Sequence, residues 1–206
     1  MRLLHAVEGS VLWLLGDNES AERNLRKEAH ARGIDPVRLV FAGRLPLEDH
    51  LARHRLADLF LDTLPCNAHT TASDALWAGL PVITRLGKAF AGRVAASLLN
   101  AVGLPELVTH SIEDYEALAL RLAMEPSLLA TYRNRLATNR LVHPLFDTDR
   151  FRRHIEAAYL RMWELWQRGE FPRSFAVDAG RTQPRDRQGL PNLCTARDSA
   201  ATAGSA

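Results

Sequence analysis

Short apolar runs alternate with longer segments of helical periodicity along most of the chain. Four runs predict strands, at 11–16, 39–43, 59–62 and 81–84. Apolar spacing predicts helices at 20–31, 47–54, 71–78, 93–101, 112–124, 127–141 and 147–169. The strands are continuously apolar, beginning with 11–16, which is typical of parallel strands buried on both faces. The pattern predicts an α/β fold, a Rossmann-like doubly wound parallel sheet followed by C-terminal helices.

The two ends of the chain depart from this alternation. Residues 2–7 resemble the last turns of an amphipathic helix, which favours a domain whose beginning lies upstream. From Asp178 onward the sequence is polar and contains little to bury, which predicts disorder. We therefore expect one lobe over residues 1–177 and a disordered tail over 178–206.

Composition narrows the class of protein without identifying it. The net charge is only +2, so nothing favours nucleic acid or an anionic membrane as the main partner. The apolar runs are far shorter than the ~20 residues that cross a bilayer, and the N-terminus does not resemble a signal peptide. Two cysteines cannot form a disulfide framework. We expect a soluble, cytoplasmic protein.

The loop after the third predicted strand carries the strongest candidate chemistry. Ligands of open α/β sheets bind beyond the carboxyl ends of the strands. Thr70 and Thr71 begin the next helix, where free backbone N–H groups and the helix dipole favour an anion such as a diphosphate. His69 offers a further donor, and Asp74 one turn later offers an acceptor for ribose hydroxyls. The alternative needs no ligand, because Thr71 and Asp74 also have the spacing of a capping box and His69 fits an ordinary loop.

A second candidate follows the second predicted strand. His50 and Arg53 are three residues apart and share a helical face, which suits a ring for base stacking beside a guanidinium. A solvated surface turn is the competing interpretation. Cys66 and His69 lack a second pair of ligands at metal-site spacing, so we expect no metal site.

Most of the chain resembles the C-terminal catalytic lobe of the O-linked N-acetylglucosamine transferase family. These are inverting glycosyltransferases of the GT-B architecture, with N-terminal tetratricopeptide repeats in many members. The matching segments follow the family's order and spread over about three quarters of the chain. They are SVLWLL, LAD, LDT, CNAHTT, DALWAGLP, RVAAS, PLF and YLRMWE, between residues 10 and 164.

The resemblance assigns roles to the two candidate loops. It implies a donor site for a UDP-sugar, with UDP-N-acetylglucosamine as the expected donor and no metal or other cofactor. The site would consist of His69, Thr70 and Thr71 at the diphosphate, Asp74 at the ribose, and Leu45, His50 and Arg53 at the uracil.

Two departures from the family pattern bear on activity. Leu47 stands where some members have a lysine near the ribose, and a family lysine that stabilises the leaving diphosphate is expected upstream of the first strand. We expect a fragment that is inactive alone, acting on a protein Ser or Thr in the full enzyme with a separate N-terminal lobe or repeat region. Two alternatives stay open: a non-catalytic nucleotide-sugar-binding or partner-binding module, and a transferase for asparagine or another sugar.

Overall fold

A computed structural model describes residues 1–177, which form an α/β fold with eight α-helices and five short strands. The predicted tail, 178–206, lies outside the described residues. The strands are β1 (Leu12–Leu15), β2 (Leu39–Ala42), β3 (Phe60–Leu61), β4 (Val82–Arg85) and β5 (Val108–Thr109). The helices are α1 (Arg2–Ala6), α2 (Glu19–Ala31), α3 (Leu47–Arg53), α4 (Thr70–Ala78), α5 (Val94–Ala101), α6 (Ile112–Met124), α7 (Pro126–Val142) and α8 (Thr148–Gln167).

Every strand pair among the described residues is parallel, as the apolar strand pattern predicts. β1 pairs with β2 in one sheet, and a second sheet has the order β3–β4–β5. The sequence pattern missed β5, because two residues after a short 3-10 turn carry no readable periodicity. Since all strands are parallel, the loops that follow them emerge at the carboxyl ends, where α/β folds bind ligands.

The chain divides into two compact units, Met1–Thr148 and the part from Asp149 onward. The first contains all five strands and helices α1 to α7. The second contains most of α8, whose exposed face carries several large apolar side chains, among them the stacked rings of Trp163 and Trp166.

The main core of the first unit surrounds β4. Val82, Ile83 and Thr84 are fully buried, and α4, α5 and α6 pack around them with Leu76, Leu99 and Leu122 also inaccessible. Burying side chains of this size is the main source of stability for such a layer structure. β4 is thus buried on both faces, as its sequence predicts.

The same prediction is wrong for β1. Its side chains alternate between half-buried and exposed, with Trp13 36% and Leu15 49% exposed. Leu12 and Leu14 face a small second core formed by α1, α2 and β2, but the described part of the chain provides no layer over the opposite face. The apolar sequence of β1 is typical of a strand covered on both faces, whereas one face of β1 is exposed in the structure.

Local interactions fix the beginning of α2 and the end of α4. Asn18 caps α2 by accepting from the N–H of Ala21 at 3.0 Å. Gly79 ends α4 with φ of 90°, a left-handed conformation that suits glycine and turns the chain sharply into β4. No helix of the described region is long and apolar enough to span a membrane.

Candidate functional site

The two predicted loops follow β2 and β3, which belong to different sheets. Leu45 lies between β2 and α3, and His50 and Arg53 lie on α3. His69 is the residue before α4, whose first turn contains Thr70 and Thr71. Helices α3 and α4 are in contact, so both groups of residues border one region of the surface.

The N-terminus of α4 has no side-chain cap. The capping residue is His69, and no side chain accepts a hydrogen bond from the first turn of the helix. The capping-box interpretation is therefore wrong, because Thr71 is already inside the helix rather than at its cap. Thr70 and Thr71 are exposed to solvent. The first N–H groups of α4 thus have no side-chain acceptor and lie at the positive end of the helix dipole, an arrangement that favours an anion.

His69 is held in place by the neighbouring loop. Its Nε2 lies 3.4 Å from the carbonyl oxygen of Ala91, and its ring makes an edge-to-face contact with Phe90 at 6.1 Å between centroids. The N–H of Asn67 donates to the same Ala91 carbonyl at 2.8 Å. The loop before α4 is therefore buttressed by the loop that follows β4.

On α3, His50 and Arg53 interact directly, as their spacing predicts. The guanidinium of Arg53 donates to Nδ1 of His50, with Nε and Nη2 at 3.1 and 2.8 Å, and its Nη1 donates to the carbonyl of Gly43 at 2.8 Å. His54 stands edge-on to the His50 ring at 4.6 Å. Since Nδ1 of His50 accepts, the ring carries its proton on Nε2 when neutral.

Electrostatics favour this neutral form of His50. Partial burial lowers the pKa of His50 below its ordinary value, and the positive charges of His54 and Arg53 lower the pKa further. Asp74 on α4 acts in the opposite direction, which shows that the carboxylate lies within electrostatic range of the ring. A neutral imidazole next to a guanidinium is suited to stacking on a planar base.

The buried carboxylate of Asp62 organises the loop that leads to α4. The sequence alone did not indicate this role. Asp62 follows β3 and is 4% exposed. Its Oδ1 accepts from the N–H of Thr63 at 2.9 Å and of Ala68 at 2.6 Å, and its Oδ2 accepts from the hydroxyl of Thr84 at 2.5 Å. The carboxylate thus fixes both ends of the loop that leads to His69.

The backbone of Asp62 is also anchored. Its carbonyl oxygen accepts from the hydroxyl of Tyr115 on α6 at 2.9 Å. Burial and the nearby Asp62 carboxylate raise the pKa of Tyr115 well above its usual range, so this hydroxyl remains a donor. The aspartate after an apolar strand was a visible signal in the sequence, but Tyr115, fifty-three residues away, gave none.

Among the described residues, no group of three or more His, Cys, Asp or Glu side chains is arranged to hold a metal ion. Cys66 is a free thiol in the loop between Asp62 and His69, and its Sγ lies 3.6 Å from the carbonyl oxygen of Asn67.

Comparison with known proteins identifies the family of the chain. Residues 1–155 match the model of glycosyl transferase family 41. The chain is 40% identical over 176 residues to a probable UDP-N-acetylglucosamine–peptide N-acetylglucosaminyltransferase SEC of Arabidopsis thaliana, and 38% identical over 169 residues to a UDP-N-acetylglucosamine–peptide N-acetylglucosaminyltransferase of Caenorhabditis elegans. These alignments cover 85% and 82% of this chain.

A solved structure shows the same likeness in three dimensions. A mutant of the Thermobaculum terrenum O-GlcNAc transferase superposes with a TM-score of 0.75 at 34% identity, over 82% of this chain and 33% of that one. The fold is thus that of a glycosyltransferase of the GT-B architecture. The chain belongs to glycosyl transferase family 41. It spans only 18% and 15% of the lengths of the Arabidopsis and Caenorhabditis relatives.

The Asp62 network yields a prediction about pH. Because burial raises the pKa of Asp62 above its ordinary 3.8, the folded chain binds this proton more readily than the unfolded chain. Ionisation of Asp62 therefore lowers the free energy of unfolding at neutral pH. As the pH falls from about 7 to about 4, the free energy of unfolding of the wild type should rise relative to that of Asp62→Asn. The asparagine keeps an acceptor for the two loop amides and donates to Thr84. Urea unfolding of both proteins measures the difference.

The matched control is Asp62→Ala, which removes the acceptor altogether. It leaves the N–H groups of Thr63 and Ala68 without a partner, at a cost of about 1–3 kcal/mol for each buried group. If the wild type instead loses stability relative to the asparagine variant on acidification, the assigned direction of the Asp62 pKa is wrong.

Proposed function

We propose that residues 1–177 form the UDP-sugar-binding lobe of an inverting protein O-glycosyltransferase that transfers N-acetylglucosamine to Ser or Thr. The single observation that carries the proposal is the uncapped N-terminus of α4, with Thr70 and Thr71 exposed, at the carboxyl end of β3. Helix N-termini in this position of parallel α/β folds bind phosphates. Membership of glycosyl transferase family 41 supports a nucleotide-sugar as the source of those phosphates.

The diphosphate is assigned to the first turn of α4. The backbone N–H groups there and the hydroxyls of Thr70 and Thr71 provide donors for one anion, and His69, whose Nε2 faces the carbonyl of Ala91, lies beside them. When an acceptor hydroxyl attacks the anomeric carbon, negative charge develops on the departing UDP. Fixed donors and a helix dipole stabilise that charge without reorganising, which is how an electrostatic site lowers a barrier. We expect these groups, rather than a metal ion, to neutralise the diphosphate.

The nucleoside is assigned to the surface between α4 and α3. Asp74 is one turn into α4, where its carboxylate accepts hydrogen bonds from the ribose hydroxyls. The neutral ring of His50 stacks on the uracil, with Arg53 holding the ring through Nδ1. The backbone near Leu45 reads the edge of the base. The contact between α3 and α4 supports the placement of these residues beside one another.

We further propose that this chain does not transfer sugar alone. It covers a third of the solved relative's chain and less than a fifth of the curated relatives that it matches. In a two-lobed transferase, the acceptor protein and the remaining catalytic groups approach from the other lobe, and a repeat region can present the acceptor. The two cysteines, too few for a disulfide framework, support a cytoplasmic setting for this assembly.

Calorimetric titration with UDP tests the nucleotide site. We expect a dissociation constant below about 1 mM for the wild type, and a loss of about tenfold or more for Asp74→Asn. The matched control is Glu113→Gln, which likewise removes one negative charge, from the exposed first turn of α6.

Charge alone predicts slightly tighter UDP binding for both variants. Weaker binding by Asp74→Asn, together with unchanged binding by Glu113→Gln, therefore identifies a hydrogen bond to the ribose. Equal effects of the two substitutions, or millimolar or weaker binding by the wild type, would contradict the site.

A transfer assay tests whether this chain transfers sugar without the rest of the enzyme. With UDP-N-acetylglucosamine and a Ser/Thr-rich acceptor peptide, we expect no transfer above background by the chain alone, because it covers only 33% of the solved relative. Mass spectrometry of the peptide detects the added sugar. Robust turnover by the chain alone would refute the proposal, and turnover with UDP-glucose instead would favour a transferase for another sugar.

A further inference from the structure

The loop that joins β4 to α5, residues 86–93, borders the N-terminus of α4. β3 and β4 pair in parallel, so the loops that follow these two strands leave the same edge of their sheet. The carbonyl of Ala91 accepts from the N–H of Asn67 at 2.8 Å and lies 3.4 Å from Nε2 of His69, the residue before α4. The two loops are therefore in direct contact beside the first turn of that helix.

The loop over 86–93 is closed tightly on itself. The N–H of Gly87 donates to the carbonyl of Gly92 at 2.6 Å, and the guanidinium of Arg93 donates to the carbonyl of Gly87 at 3.2 Å. A Cβ atom at Gly87 would stand 2.8 Å from the Gly92 oxygen, and one at Gly92 would stand 2.8 Å from the Pro65 oxygen. Glycine at both positions permits these close approaches, so backbone contacts determine the course of the loop.

This closed loop carries an exposed aromatic ring. Phe90 begins the single 3-10 turn within the loop and is 80% exposed. An exposed apolar side chain needs no explanation by itself. The ring of Phe90, however, contacts the ring of His69 edge to face, at 6.1 Å between centroids, so it is held next to the first turn of α4. Aromatic side chains in such positions are typical of the walls of ligand pockets.

The proposed orientation of UDP decides which part of the donor reaches Phe90. Asp74, assigned to the ribose, lies one turn into α4, whereas His69 precedes the helix. The ribose and the sugar are attached to opposite ends of the diphosphate. With the diphosphate on the first turn and the ribose at Asp74, the sugar extends past His69, toward Phe90.

We propose that Phe90 is a specificity-determining residue whose ring packs against the hexose of the bound UDP-sugar. A pyranose has polar hydroxyls at its rim but C–H groups on its faces, and an aromatic ring covers such a face by apolar contact. The inference rests on the proposed function, from which it takes the position of the diphosphate. It adds a recognition element on the loop after β4 that acts on the sugar and not on UDP.

Calorimetric titrations of the full chain with UDP and with UDP-N-acetylglucosamine test this element. Phe90→Ala should weaken binding of UDP-N-acetylglucosamine about fivefold or more, because the apolar contact with the hexose is lost. Binding of UDP should stay within about twofold of the wild type, because other residues contact the diphosphate and the nucleoside. Phe90→Tyr keeps the ring and should bind both ligands within about twofold of the wild type.

The matched control is Leu141→Ala, which shortens another exposed apolar side chain. Leu141 is 74% exposed and lines a groove with Trp77 and Ala78, at the end of α4 away from Thr70. This substitution should change neither dissociation constant. Circular dichroism checks that all three variants are folded.

Nuclear Overhauser effects locate the contact directly. In the complex with UDP-N-acetylglucosamine, the ring protons of Phe90 should show effects to the C–H protons of the hexose and none to those of the uracil. Phe90→Ala assigns these signals by their loss.

The sugar contact and the nucleotide site fail in different ways. If the wild type binds UDP but Phe90→Ala keeps full affinity for UDP-N-acetylglucosamine, or weakens both ligands equally, the sugar contact is rejected and the nucleotide site stands. Overhauser effects from Phe90 to the uracil in place of the hexose would reject the contact in the same way. Failure of the wild type to bind UDP would reject the proposed function, and this inference with it.

Discussion

The carboxylate of Asp62 holds together the elements on which the candidate site depends. It is buried at the end of β3, accepts hydrogen bonds from both ends of the following loop and from β4, and its backbone carbonyl is anchored by α6. A buried carboxylate is tolerated only when donors of this kind surround it. The loop therefore has little conformational freedom, and this restricts the position of the first turn of α4.

A second candidate loop lies beside this arrangement. The loops after β2 and β3 are separate in sequence, but the helices that follow them, α3 and α4, are in contact. One loop contributes a helix dipole and hydroxyls, and the other contributes a neutral ring held by Arg53. We propose that these two groups of residues together hold a nucleoside diphosphate, a proposal supported by membership of glycosyl transferase family 41.

Sequence alone predicted the parallel α/β class and most helices, because apolar periodicity reflects which face of an element is buried. It did not distinguish a capping box from an anion site at α4, since Thr71 and Asp74 fit both until the start of the helix is known. It could not reveal the bond from Tyr115 to Asp62, a long-range contact with no local pattern. Its error at β1 is informative, because the sequence describes the neighbours a strand requires, and the described residues do not supply them all.

The most direct test of the nucleotide site is a titration of the isotopically labelled chain with UDP, followed by backbone NMR. The account predicts that the largest shifts fall on the amides of Thr70 and Thr71, with smaller ones near His50 and Arg53, while the amides of α6 beyond Tyr115 stay in place. Shifts confined to other parts of the chain, or none at α4, would contradict a UDP site at this helix.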